Sequence, residues 1–170
     1  MSYVMVDIEA DGPIPGDYSM VCFGAIVVEP SLSKTFYGKL KPISEKWVPD
    51  ALKVSGFSRE QTLTFDDPKT VMESFEQWVM KNAQGRPIFV SDNNGFDWQF
   101  INWYFHHFLG KNPFGHSSMN LGSFYKGLAR DTFKNFKHLR KTKHTHYPLD
   151  DAKGNTEALL EMIKQYDLKV

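Results

Sequence analysis

Among the side chains of this 170-residue chain that are of the types that hold metal ions and move protons, five are set apart by their spacing and surroundings. Asp7 and Glu9 lie two apart in YVMVDIEADG (residues 3–12), Asp97 follows the apolar run 88–90, and His146 precedes Asp151 by five positions. Residues two apart in an extended strand share a face, so Asp7 and Glu9 point one way and Ile8 points into the opposite core. A D-x-E pair is often no more than the solvated face of a strand. This one follows Val4, Met5 and Val6, which lack the polar alternation of a strand with one wet face. Carboxylates crowded at the end of a buried strand repel one another, and burying them is costly unless a cation or a proton compensates. Hard oxygen donors select magnesium or manganese. An imidazole, with an ordinary pKa of about 6.5, suits proton transfer near neutrality.

Such a constellation needs a framework. Residues 4–9, 19–29 and 35–40 are apolar, β-branched or alternating, and turn-rich links join them into a three-strand antiparallel meander. A helix is expected over 67–83, with Asp67 as N-cap and Pro68 in the first turn. A buried strand at 86–91 then leads into a central helix at 96–109, opened by Asp97, where helix polarity favours negative charge. A short strand at 118–121 and a helix at 121–129 follow, and 133–149 has the weakest pattern, with Pro148 reading as extended or looped chain. Asp151 begins a last helix that runs to residue 166. Trp98, Trp103, Tyr104 and Phe105 repeat at helical spacing and read as core. Strands first, then alternating helices and strands, describe an α/β domain with a five-stranded mixed sheet and helices on both faces.

Composition bounds the function classes. With 41% hydrophobic and 15% aromatic residues, the chain is expected to form one domain over 1–170. Its 20 basic and 20 acidic side chains balance, so attraction to a polyanion must come from local patches. The lone Cys22 excludes an internal disulfide framework and reads as a buried hydrophobe. Neither a secretory leader nor an apolar run of about 18 residues is visible, so the expected setting is the cytoplasm, with no membrane partner.

The ordered motifs resemble the DEDDh group of 3′-to-5′ exonucleases, the DnaQ-like family of the ribonuclease H-like superfamily. DIEADG (7–12) is similar to its first motif, DNNGFD (92–97) to its second, and HYPLDDA (146–152) to its H-x4-D motif. Between them, DALKVSGFSRE (50–60) and LKP (40–42) resemble further family segments, so the similarity runs from residue 3 to about 165. The resemblance implies a ribonuclease H-like fold. It also implies metal-dependent hydrolysis of single-stranded DNA or RNA from its 3′ end, releasing nucleoside 5′-monophosphates. Asp7, Glu9, Asp97 and Asp151 would hold two Mg²⁺ or Mn²⁺ ions about 4 Å apart, with His146 as general base.

The implied substrate-side positions are the backbone of Ala10, Asp11 and Gly12, with Phe57 as a stacking surface or a core residue and Asn93 ordering the loop before Asp97. Asp92, Ala10, Asp11 and Ser55 depart from the family pattern at positions that are not metal ligands, which bears on substrate preference. Asp11 in particular is expected beyond the strand on the substrate side. The stretch 134–146 holds five Lys or Arg and no acid, and reads either as a solvated loop or as a phosphate-contacting flank. His144 and His146 form an H-x-H pair, on its own weak evidence for zinc. DNA versus RNA stays open, and so does a homodimer. A second reading is a module that keeps the fold and binds nucleic acid or protein without catalysis.

Overall fold

A computed structural model describes residues 1–169. Its strands are β1 (Ser2–Ala10), β2 (Met20–Val27), β3 (Thr35–Lys39), β4 (Pro87–Ser91) and β5 (Ser118–Asn120). They form one five-stranded sheet in the order β3-β2-β1-β4-β5. The meander β1-β2-β3 is antiparallel, and β4 and β5 are added in parallel. Its helices are α1 (Pro49–Val54), α2 (Arg59–Thr62), α3 (Pro68–Asn82), α4 (Asn94–Leu109), α5 (Leu121–Ala129) and α6 (Pro148–Gln165), with a 3-10 turn at Lys137–Leu139.

The alternation of β1 sorts the two cores. Val4, Val6, Ile8 and Ala10 pack with Phe75 of α3 and Phe100, Ile101 and Tyr104 of α4. Met5 packs on the other side with Leu121 of α5 and Ala152, Leu159 and Met162 of α6. Asp7 and Glu9 share the Met5 face. Complete burial of a ring such as Phe75 or Phe100 contributes about 3 kcal/mol at most, and the two cores together fix the strand that carries the acids. Tyr104 and Phe105 are core residues, whereas Trp98 and Trp103 are only partly buried.

Two helix starts differ from the sequence reading. The central helix begins at Asn94 rather than Phe96, because the Asn93 carbonyl accepts the Phe96 and Asp97 amides. The last helix begins at Pro148, three residues before Asp151, so Pro148 is a helix start and not a loop residue. Proline suits a first helical position, since it lacks an amide that would have no partner there and its φ is already helical. Asp97 and Asp151 therefore both occupy the fourth position of a helix, near its positive end.

Gly24 decides how close α6 can come. It pairs with Asp7 across β1 and β2, and a Cβ there would lie 2.5 Å from Leu149 N and 2.7 Å from Pro148 C. Both contacts are backbone, so neither can swing aside. Gly24→Ala is expected to lower stability by about 1–3 kcal/mol and to cut activity more than a mutation of similar cost elsewhere, because it lifts Asp151 away from Asp7. Urea unfolding beside a rate assay checks this, and normal activity in a destabilised variant would contradict it.

Candidate active site

Three separate elements bring the carboxylates together. Asp7 and Glu9 leave β1 just before a register irregularity, where Glu9 faces Cys22 but Ala10 faces Met20. Such bulges re-aim side chains at sheet ends. Asp97 is buried under α4 and accepts the Ile8 amide at 3.4 Å through Oδ1, so it reaches β1 between the two strand acids. Its Oδ2 is buried and has no hydrogen-bond donor among the described residues. Asp151 reaches the same place from α6, whose first residues lie over Gly24, and its charge acts on both Asp7 and Glu9.

Electrostatics record the crowding. Burial, then the negative charges of Asp97, Asp151 and Glu9, hold the Asp7 carboxyl well above the usual range, while Arg140 opposes them. Burial and Asp151 push Glu9 up to about 7. Burial pushes Asp97 up to about 8. A donor set of ionisable oxygens with an orphaned buried atom and too little protein cation to balance it fits hard divalent ions.

This gives a pH prediction. Glu9 and Asp97 stand above their ordinary values of 4.5 and 3.8, so between those values and about 7 to 8 the folded metal-free chain holds more protons than the unfolded chain. Stability is then full below the unfolded values and is lost as pH rises through the folded ones. The metal-free melting temperature is expected to fall between about pH 5 and pH 8.5, and saturating Mg²⁺ to remove that fall by binding the ionised carboxylates. Melting scans with chelator or Mg²⁺ decide it; a flat metal-free profile contradicts it.

The third motif is seated by one face of α6. Asp151, Gly154 and Glu157 follow one another at helical spacing, and the segment before the helix lies along them. Arg140 Nη2 donates to Asp151 Oδ1 at 2.9 Å, with only 8% of its side chain exposed. A Cβ at Gly154 would lie 2.5 Å from Arg140 Nε, so bare backbone lets the guanidinium pass. Glu157 accepts the Lys141 and Thr142 amides and the Thr142 hydroxyl. Asp151 also accepts the Thr145 amide on Oδ1 and the His146 amide on Oδ2. His146, held at φ 61, places Nδ1 3.7 Å from Glu9 Oε1 with about half its side chain exposed. Single residues in the left-handed region are costly for most side chains and concentrate at functional sites.

The substrate-side expectations divide. Phe57 lies edge-on to Phe65 and lines a cavity of about 360 Å³ with Trp47, Lys53 and Arg59. It packs against the cluster of Val21, Cys22 and Leu52, and Cys22 is the strand partner of Glu9. Burial pushes the Cys22 thiol up to about 12, as suits an inert core cysteine. Ala10 is buried, and Gly12 leaves room only for the Tyr18 ring, which a Cβ would overlap.

Asp11, expected on the substrate side, turns its carboxylate inward. Its side chain is fully buried, accepts the Ser19 amide and pairs with Arg59 Nη1 at 2.9 Å, while its backbone bonds Ser19 and Val48. A buried carboxylate needs such partners, and Arg59, 48 residues away, supplies the charge. Asn93 is exposed, and its side chain does not cap α4. The residues that order this loop were missed from sequence: Asn94 bonds Ser91, Met119 and Ser118, and Asn120 donates to the Asp92 carbonyl. Gly24, Arg140 and Glu157 were missed too, although the 151-154-157 spacing was a readable signal.

Part of the basic stretch forms a cavity of about 270 Å³ beside this centre, lined by Lys137, Arg140, Lys141, Lys143 and His144, with Asp92 the one acid. Among the described residues no helix is long and apolar enough to cross a membrane.

Comparisons with known proteins show the family and the fold. The exonuclease family model of the RNase_T type matches residues 4–159. The 3′-5′ DNA exonuclease Cap18 of Escherichia coli is 44% identical over 137 residues, covering 78% of this chain and 72% of that protein. The nuclease domain of 3′hExo, described as a DEDDh family member bound to rAMP, superposes with a TM-score of 0.78 at 16% identity, over 96% of this chain and 92% of that one. The cell-death related nuclease CRN-4 superposes with a TM-score of 0.76 at 18% identity, and this chain spans 64% of its length. The two superpositions show a shared fold, and the sequence match runs through all three carboxylate motifs. The chain belongs to the RNase_T exonuclease family, the DEDDh or DnaQ-like 3′-to-5′ exonucleases of the ribonuclease H-like fold.

Proposed function

We propose that this protein removes nucleoside 5′-monophosphates one at a time from the 3′ end of single-stranded nucleic acid, with DNA the favoured substrate. The observation that carries the reading is the convergence of Asp7, Glu9, Asp97 and Asp151 from three elements around an orphaned buried carboxylate oxygen, with His146 at the rim. The relation to a 3′-5′ DNA exonuclease favours DNA; the fold neighbour bound to rAMP leaves RNA as the competing substrate. Nothing in the fold or in these likenesses supports a homodimer, and nothing favours a non-catalytic module.

Two divalent ions, Mg²⁺ or Mn²⁺, would supply charge neutralisation and Lewis acidity when held by the four carboxylates. His146, half-exposed above Glu9, accepts the proton of the attacking water; the water oxygen bonds to phosphorus, the P–O3′ bond breaks, and the leaving O3′ takes a proton from solvent water to become the new 3′ hydroxyl of the shortened strand. The Phe57 cavity receives the terminal nucleotide against an aromatic wall, and the basic cavity holds phosphates without reading bases.

The test is a ladder assay on 5′-labelled DNA and RNA oligomers, with Mg²⁺, with Mn²⁺ and with chelator. Metal-dependent shortening from the 3′ end, faster on DNA, is expected. Binding without shortening of either polymer would sink the proposal, and faster RNA cleavage would reverse its substrate assignment.

A further inference from the structure

We propose that His144, His146 and Asp151 form a zinc site whose occupation removes the catalytic histidine from use. In sequence the H-x-H pair lacks a third ligand; the fold supplies it. One ligand atom from each residue lies within 4.8 Å of the others. His144 Nδ1 is already 2.8 Å from Asp151 Oδ1, and the two imidazoles meet edge to face with centroids 4.3 Å apart. With zinc bonds of about 2.0–2.1 Å, ligand atoms of a tetrahedral site lie about 3.3 Å apart. Small rotations of the two imidazoles reach that spacing, since both side chains are 54% exposed. The third ligand is fixed: Asp151 is buried and pinned by Arg140.

The donor set sets this site apart from the carboxylate centre. Two imidazole nitrogens and one carboxylate oxygen suit borderline Zn²⁺, whereas four carboxylates suit Mg²⁺ or Mn²⁺. A fourth position stays open to water, or to Glu9, whose Oε1 is 3.7 Å from His146 Nδ1. Zinc bound here takes the lone pair that His146 needs to accept a proton, and takes an oxygen of Asp151 from the hydrolytic centre. The site is thus inhibitory, with free zinc as its ligand. The inhibition rests on the proposed exonuclease reading; the binding does not.

The experiment uses the whole chain, stripped of metal and then held in excess Mg²⁺. Calorimetric titration with Zn²⁺ is expected to show one tight equivalent, and Co²⁺ to give visible absorption bands of a four-coordinate site. His144→Ala and His144→Asn are expected to weaken zinc about tenfold or more. Both substitutions lie at an exposed position, and circular dichroism confirms folding. The zinc concentration that halves cleavage, measured against each variant's own zinc-free rate, is expected to rise in step. Equal zinc affinity in wild type and both His144 variants would place the ion among the carboxylates and overturn the proposal. So would the absence of zinc binding to the wild type in Mg²⁺. Zinc binding that needs His144, in a chain that cleaves no oligomer, would instead overturn the exonuclease reading and leave the site standing.

Discussion

Asp7→Asn is expected to reduce cleavage by about three orders of magnitude while raising the melting temperature of the metal-free protein. The two effects have one origin. Asp7 is buried among Asp97, Asp151 and Glu9, and both burial and those charges disfavour its ionised form. Asparagine keeps the shape and removes the charge, so the metal-free fold gains on the order of 1 kcal/mol at pH 8. Losing a ligand of the hydrolytic centre costs several kcal/mol of transition-state stabilisation, and each 1.36 kcal/mol is about a factor of ten in rate. An acid kept only to hold β1 in place behaves differently, since its loss lowers stability and leaves the chemistry alone. Melting scans in chelator beside the ladder assay separate the two. A metal-free melting temperature that falls, with activity kept, would show that Asp7 is a structural carboxylate.

His146→Asn is expected to slow cleavage by about 10² to 10⁴, the usual contribution of a positioned general base. Asparagine is the better replacement here because it tolerates the left-handed backbone at φ 61, where alanine adds strain of its own. The side chain is half exposed, so the fold and the four carboxylates should be undisturbed. Three readouts distinguish a base from a residue that merely supports Asp151. The Mg²⁺-induced rise in melting temperature should match the wild type. The wild-type rate should climb with pH near neutrality, and the variant should lose that limb. KM for the oligomer should change little while kcat collapses. Unchanged cleavage at neutral pH would remove the role.

The carboxylate cluster was readable because its signals are local. Asp7 and Glu9 share a face by strand geometry alone, and the apolar residues before them announced burial. The α3 start at Asp67 and Pro68 and the span of α5 followed from capping and turn chemistry within a few residues. Pro148 misled for a local reason as well: the same residue marks a loop or opens a helix, and only the hydrogen-bonded turns after it distinguish the two.

What the sequence by itself determined is the inventory: which carboxylates, which imidazole, in what order, and on which kind of element. Tertiary structure alone decided their use. It buried Asp11 against Arg59, 48 residues away, and so made its carboxylate an internal tie. It let α6 settle on Gly24, threaded Arg140 over Gly154, and added Asp151 to the His144 and His146 pair. The physical reason is range. Periodicity and capping act over a few residues, whereas burial, desolvation and ion pairing depend on what the folded chain brings across, and no spacing along the sequence records that.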